Sequence, residues 1–277
     1  MRFRLVPLVA ATAAISACRG GPPSPPGLAY SLPALTEVTY ATGDSAAMSI
    51  DADGEMYRMD MNLSSKLGAT FTRAATGVQV SVEVKSFSAT QTNPMGAPVT
   101  ADGSGISGPV VFTLDRQGVA TLVAEPQLTG MARNYFQPLE VVHGFFPRLP
   151  GRAAHVGDTW TDTISFEGPQ GDGSIRSTSI VTYTVLGDTL VGDRRVLKIA
   201  MEGSTEQSAS GAFAGMDFSQ KLSGTAKGWV LWDLQRSLMV EKYSDNDASG
   251  TMDVSVAPYP LSIRMRGQAR TRLAEEM

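Results

Sequence analysis

His143 and His155 are the only imidazoles in a chain of 277 residues, and Cys18 is its one thiol. A nucleophile–base pair would need one of these histidines beside a hydroxyl. His155 and Asp158 offer two members of a Ser-His-Asp arrangement, but no spacing positions a serine and no G-x-S-x-G is present. Two histidines and one cysteine leave nothing for a His/Cys metal centre and no disulfide within the chain. Carboxylates cluster in Asp51-Ala52-Asp53-Gly54-Glu55 and in Asp245-Asn246-Asp247-Ala248-Ser249-Gly250. The second has the opening positions of a calcium loop, with Asp253 at the ninth place, yet Val256 stands where a bidentate glutamate is required. Acid-rich hairpin turns account for both clusters, because Asp and Asn tolerate turn geometry and bond their own backbone. The expectation is a non-catalytic protein without metal or cofactor, a hydrolase being the minor alternative.

Sulfur enters mainly as thioether. There are 13 methionines, and alternation puts Met48, Met59, Met61, Met201, Met216, Met252 and Met265 on inward faces. Met is flexible and polarizable, so it fills an irregular core or lines an adaptable apolar cavity. The candidate cavity lining comprises Met59, Met61, Val80, Val82, Leu197, Ile199, Ile263 and Met265.

These residues must be positioned by strands. Tyr57 to Leu63, Val78 to Lys85, Leu197 to Glu202 and Leu261 to Arg266 alternate apolar and polar, the period of a sheet with one dry and one wet face. Asp53-Gly54, Thr76-Gly77, Gln117-Gly118, Gly187-Asp188 and Gly192-Asp193 punctuate them as turns. With 28 Gly and only 18% charged residues, the composition favours strands and turns over solvated helices. Pro138 to His143 is the exception. Proline suits the first helical position and Gly144 the position after the last turn, which predicts one short helix. Gly108–Arg116 and Gly228–Arg236 share a G-x-V-aliphatic-aromatic-x-L-x-R pattern, suggesting two similar β-halves.

The first residues read as an address. Arg2 and Arg4 precede an apolar run from Leu5 to Ile15, too short to span a bilayer. Ile15-Ser16-Ala17-Cys18 follows and resembles a bacterial lipobox. That resemblance implies cleavage before Cys18, acylation of its thiol and amine, and attachment to a membrane. Arg19 in place of Asp implies the outer membrane. Two or three acyl chains at about 0.8 kcal/mol per methylene hold a protein stably at a bilayer. The expected organisation is a signal peptide (1–17), the acylated Cys18 with a Pro/Gly tether (18–29), a first β-half (30–125), a linker with the short helix (126–156) and a second β-half (157–277). Without residues 1–17 the chain carries 21 Lys and Arg against 27 Asp and Glu, which argues against a nucleic-acid partner.

The fold class is therefore mainly β: a long antiparallel meander forming one or two curled half-barrels or a large sandwich, with one short helix. A lipobox on such a domain resembles the lipoprotein-carrier superfamily of the LolA, LolB and LppX type. That likeness implies a concave sheet holding acyl chains, although no sequence motif of those carriers is present. Pro147-Arg148-Leu149-Pro150 followed by Val156-Gly157-Asp158-Thr159-Trp160 is similar to a P-x-L-P…V-G-D-T-W pattern of bacterial surface lipoproteins. Two functions are expected from this: an envelope lipoprotein acting through protein contacts or structurally, or a carrier of a lipid or other hydrophobic ligand. A continuous apolar cavity of several hundred Å3 would favour the second.

Overall fold

The computed structural model describes residues 27–92, 96–213 and 216–276; Cys18 and the leader lie outside them. The first run of elements is β1 (Glu37–Ala52), β2 (Glu55–Ala74), β3 (Gly77–Gln91), β4 (Val99–Asp102), β5 (Ile106–Ser107), β6 (Val110–Leu114), β7 (Ala120–Ala124) and β8 (Gln127–Leu128). A single helical turn, α1 (Ala132–Tyr135), and the helix α2 (Pro138–Gly144) follow. The chain then returns through β9 (Thr159–Gln170), β10 (Gly173–Val191), β11 (Arg194–Phe213), β12 (Met216–Asp233), β13 (Leu238–Val254) and β14 (Leu261–Glu276). Strand makes up 70% of the described residues.

Twelve strands form one antiparallel sheet in the order β7-β6-β3-β2-β1-β14-β13-β12-β11-β10-β9, with β4 added on β3. The sheet curls through 276° into a half-barrel. The two expected β-halves are thus joined in a single continuous wall, because β14 pairs with β1 over most of its length. The chain starts in the middle of the wall, meanders to one edge at β7, crosses the gap, and meanders back from the other edge at β9.

Curling this tightly requires positions with no side chain on the concave face. At Gly228 a Cβ would lie 1.9 Å from the carbonyl oxygen of Tyr243, and at Gly250 one would lie 1.8 Å from that of Lys221. Such contacts are impossible for any other residue, so glycine here sets the curvature between β12 and β13.

The gap between β7 and β9 is filled by α2 and the residues after it. Phe145, Phe146 and Leu149 enter the core beside Tyr40, Phe71, Phe112, Leu114, Trp232 and Met239, all buried. Phe146 meets Tyr30, Tyr40 and Phe71 edge-on at 6.0–6.3 Å, and Tyr40 and Tyr30 place their hydroxyls on the carbonyls of Met239 and Pro147. This aromatic cluster closes one end of the half-barrel. Arg148 ties the edges together. Its guanidinium donates to the Gly118 carbonyl on the β7 side, and its Nε lies 3.0 Å from Asp162 on β9. Its own carbonyl accepts from Trp160 Nε1 at 3.2 Å, and Trp160 stacks on Tyr183.

The convex face is charged. Arg264, Arg266, Arg270 and Arg272 project from β14, where Asp247 bridges the first two and Glu241 the last two. Arg176–Glu167 and Lys227–Glu202 continue the pattern. A lipid-facing barrel carries an apolar outer band; the convex face of β13 and β14 carries these ion pairs instead.

Two expectations are corrected. Gly187-Asp188 is no turn: it lies within β10, just after a bulge that leaves Leu186 unpaired. Asp51–Gly54 is a hairpin turn, with Asp53 and Gly54 at positive φ and the Gly54 amide donating to Asp51. Asp245–Gly250, however, lies mid-strand in β13. Pairing with β12 and β14 on both sides extends this segment, and alternation sends Asp247 out to its arginines and Asn246 inward.

Candidate functional site

The interior is zoned along its axis. Beyond the aromatic end, β1 turns Thr42 and Asp44 inward on the face that carries Val38 and Tyr40. A β-bulge reverses the phase of β13: Leu231 of β12 faces Glu241 and Trp232 faces Met239, leaving Val240 unpaired and bringing Lys242 into the lumen. Ser244 and Asn246 follow on the same face. Ser177 and Ser179 of β10 and Thr205 and Gln207 of β11 supply the opposite wall.

Together with residues of α1 and α2 these strands enclose a cavity of about 460 Å3. Its lining joins Asp44, Glu140, Lys242 and Asn246 to the apolar Leu63, Phe136, Phe145, Phe166, Leu222 and Met265. Several of its polar groups are mutually satisfied: Thr42 with Ser65 at 2.7 Å, and Ser179 with Thr205 at 2.9 Å. Lys242 Nζ donates to the Gly144 carbonyl at the end of α2. Gln137 differs. The residue lines the cavity, but its Nε2 is covered by protein and has no hydrogen-bond partner, an arrangement that costs free energy.

The charged groups are walled in by protein while Asp44 and Glu140 stay open to the lumen. Confinement raises the Asp44 carboxyl to about 6, against the pull of Lys242. It raises Glu140 to about 7, with Asp44 adding to the effect. Lys242 is lowered to about 8 by the same loss of hydration, opposed by Asp44. In each case loss of hydration disfavours the charged form, and the neighbouring charge adds to or opposes it.

The residues singled out from the sequence divide between zones. Val80, Val82 and Ile199 are fully buried, and Leu197 and Met201 nearly so, in the closed apolar end. They pack in the dry core and do not line the cavity. Met265 lines the cavity. Met59 and Met61 are half-buried on β2, and Ile263 is buried on β14, on the same concave face toward the open end. His143 stacks on Phe166 at 5.8 Å and is held below its ordinary pKa by burial and by Arg148. His155 is exposed, its Nδ1 3.8 Å from Asp158.

Sequence reasoning missed Asp44, Gln137, Glu140 and Lys242. For Asp44 the signal was present: it falls in the inward phase of β1, where a charge needs a reason. For Lys242 it was hidden, because the bulge at Val240 inverts the apparent phase.

No family model matches this chain, and no curated protein matches it. Among solved structures, a mutant porin of Rh. blastica is similar at 7% identity and a TM-score of 0.22, over 85% of this chain and 99% of the porin chain.

Proposed function

We propose that this protein is a non-catalytic envelope lipoprotein, anchored through Cys18 at the bacterial outer membrane, whose half-barrel binds an amphipathic molecule in its lumen. The cavity of about 460 Å3 inside the curled sheet carries this reading. It falls within the size range of small-molecule sites, and its mix of apolar walls and a few convergent polar groups is their usual chemistry.

Native mass spectrometry of the full chain, with lipid extraction, tests this. The expected result is one co-purifying amphiphile per chain. Ala269→Phe, which puts bulk on the cavity wall, is expected to eject it while the protein stays folded. A parent protein that carries no ligand and takes up no acyl probe overturns the proposal. The anchor is checked separately. Cys18→Ser removes the acyl acceptor and is expected to shift the protein out of the detergent phase in a partition assay; unchanged partition refutes the lipobox.

Action through protein contacts rests on a different observation. Among the described residues no strand pairs with the outer edge of β7, and Val119 just before it and Val123 within it are 45% and 58% exposed. An extended partner segment would add a strand there where α2 and the segment after it leave the β7 backbone uncovered.

A further inference from the structure

Met48 is paired in the ladder with Met59 on one side and Met265 on the other. One level of three adjacent strands, β2, β1 and β14, therefore carries nothing but thioethers. Directly opposed residues in antiparallel strands have Cα atoms about 4.5–5.5 Å apart, so the flexible Met side chains can bring their sulfurs to a common point. All three lie on the concave face, in phase with Val38, Tyr40 and Ala69 of the core, and all are half-buried. One step toward the closed end the same strands present Met61, Ala46 and Gly267. The two small residues leave room there, and Met61 adds a fourth sulfur. Gln91 Nε2 sits 3.7 Å from Met59 Sδ, so that sulfur already serves as an acceptor.

We infer that Met48, Met59 and Met265, with Met61 adjacent, form a site for a soft monovalent cation, Cu(I) or Ag(I). Thioether sulfur is a soft, uncharged donor that selects such ions and binds hard divalent cations poorly. The level holds no carboxylate or imidazole, and among the described residues no group of three His, Cys, Asp or Glu competes as a metal site. A wall needed only for apolar contact would be served equally by leucine. Three sulfurs in one register row supply what leucine cannot.

The test uses the full chain with Cys18→Ser, so that no thiol competes. Ag(I), a redox-inert probe, and Cu(I) held by a competing chelator are titrated anaerobically and read by native mass spectrometry and chelator competition. One ion per chain is expected. Met48→Leu, the central ligand, is expected to weaken binding by more than about tenfold. The triple variant Met48→Leu/Met59→Leu/Met265→Leu is expected to lose the ion while keeping its melting temperature, since Leu and Met are close in volume. The inference is overturned if the parent retains no ion, or if the triple variant binds as tightly as the parent. The double variant Met48→Leu/Met59→Leu, which leaves the cavity-lining Met265 in place, separates this site from the lumen ligand: it is expected to lose the ion and keep the amphiphile.

Discussion

Asp44 and Glu140 are carboxyls that water reaches but bulk solvent does not surround, and this gives the protein a pH response with a definite sign. Folded, Glu140 titrates at about 7 and Asp44 at about 6, against ordinary values of 4.5 and 3.8. Between those limits the folded chain binds more protons than the unfolded one. Stability from these groups is therefore complete below the ordinary values and lost as pH rises through the folded ones. Lys242 acts in a different window: depressed to about 8, it favours the folded chain only as pH climbs above that value. Melting temperature is expected to fall from pH 5.5 to pH 8 in low salt. Glu140→Gln should flatten that slope and raise the melting temperature at pH 8. A slope unchanged in the variant would place the titrating group elsewhere. The residue types gave no warning of this cluster, since Glu140 sits in the first turn of a short helix, where an acid is ordinarily placed for the helix dipole.

Glycine placement decides how the strands curl. Gly228→Val would drive a side chain into the Tyr243 carbonyl, and the β12–β13 pair would have to flatten. A loss of about 3 kcal/mol or more is expected in urea unfolding. Gly43 is the control. It lies on β1 with nothing within 4 Å of the point where a Cβ would stand, so Gly43→Ala should be neutral or stabilising by about 0.5 kcal/mol. Equal effects would remove glycine from the account of curvature. The strands were legible because period-two alternation in runs such as Val78–Val84 survives in the structure with Val78, Val80 and Val82 all buried. The short helix was legible from Pro138 and Gly144, and it occupies Pro138–Gly144. The path of the sheet was not. Nothing local announces that β14 returns to β1, because register between strands more than 200 residues apart is set by curvature and by the crossing segment. The bulge at Val240 was equally silent, being an extra residue inside an otherwise regular run.

At the scale of the molecule, the half-barrel holds its shape because one segment spans its opening. Arg148 is 6% exposed and joins Gly118 to Asp162 across the gap. Arg148→Met keeps the stem but removes the link; it leaves Asp162, which is 37% exposed, without its cation. A loss of about 2 kcal/mol is expected, with faster amide exchange at β7 and β9 together. Exchange rising on one edge alone would show that the edges are not coupled. The route by which the chain enters has its own consequence. Leu28 bonds to Arg152 and Tyr30 to Arg116, so the first described residues dock at the closed, aromatic end. If Cys18 carries acyl chains as proposed, the nine residues between it and Leu28 can span about 30 Å at most. Strands as long as the 20 residues of β2, tilted as in a barrel, rise roughly 50 Å from that end. The floor of the vessel would then rest near the lipid and its mouth would open away from it. On the proposed anchoring, a lumen ligand would then be exchanged with the space beyond and not with the bilayer.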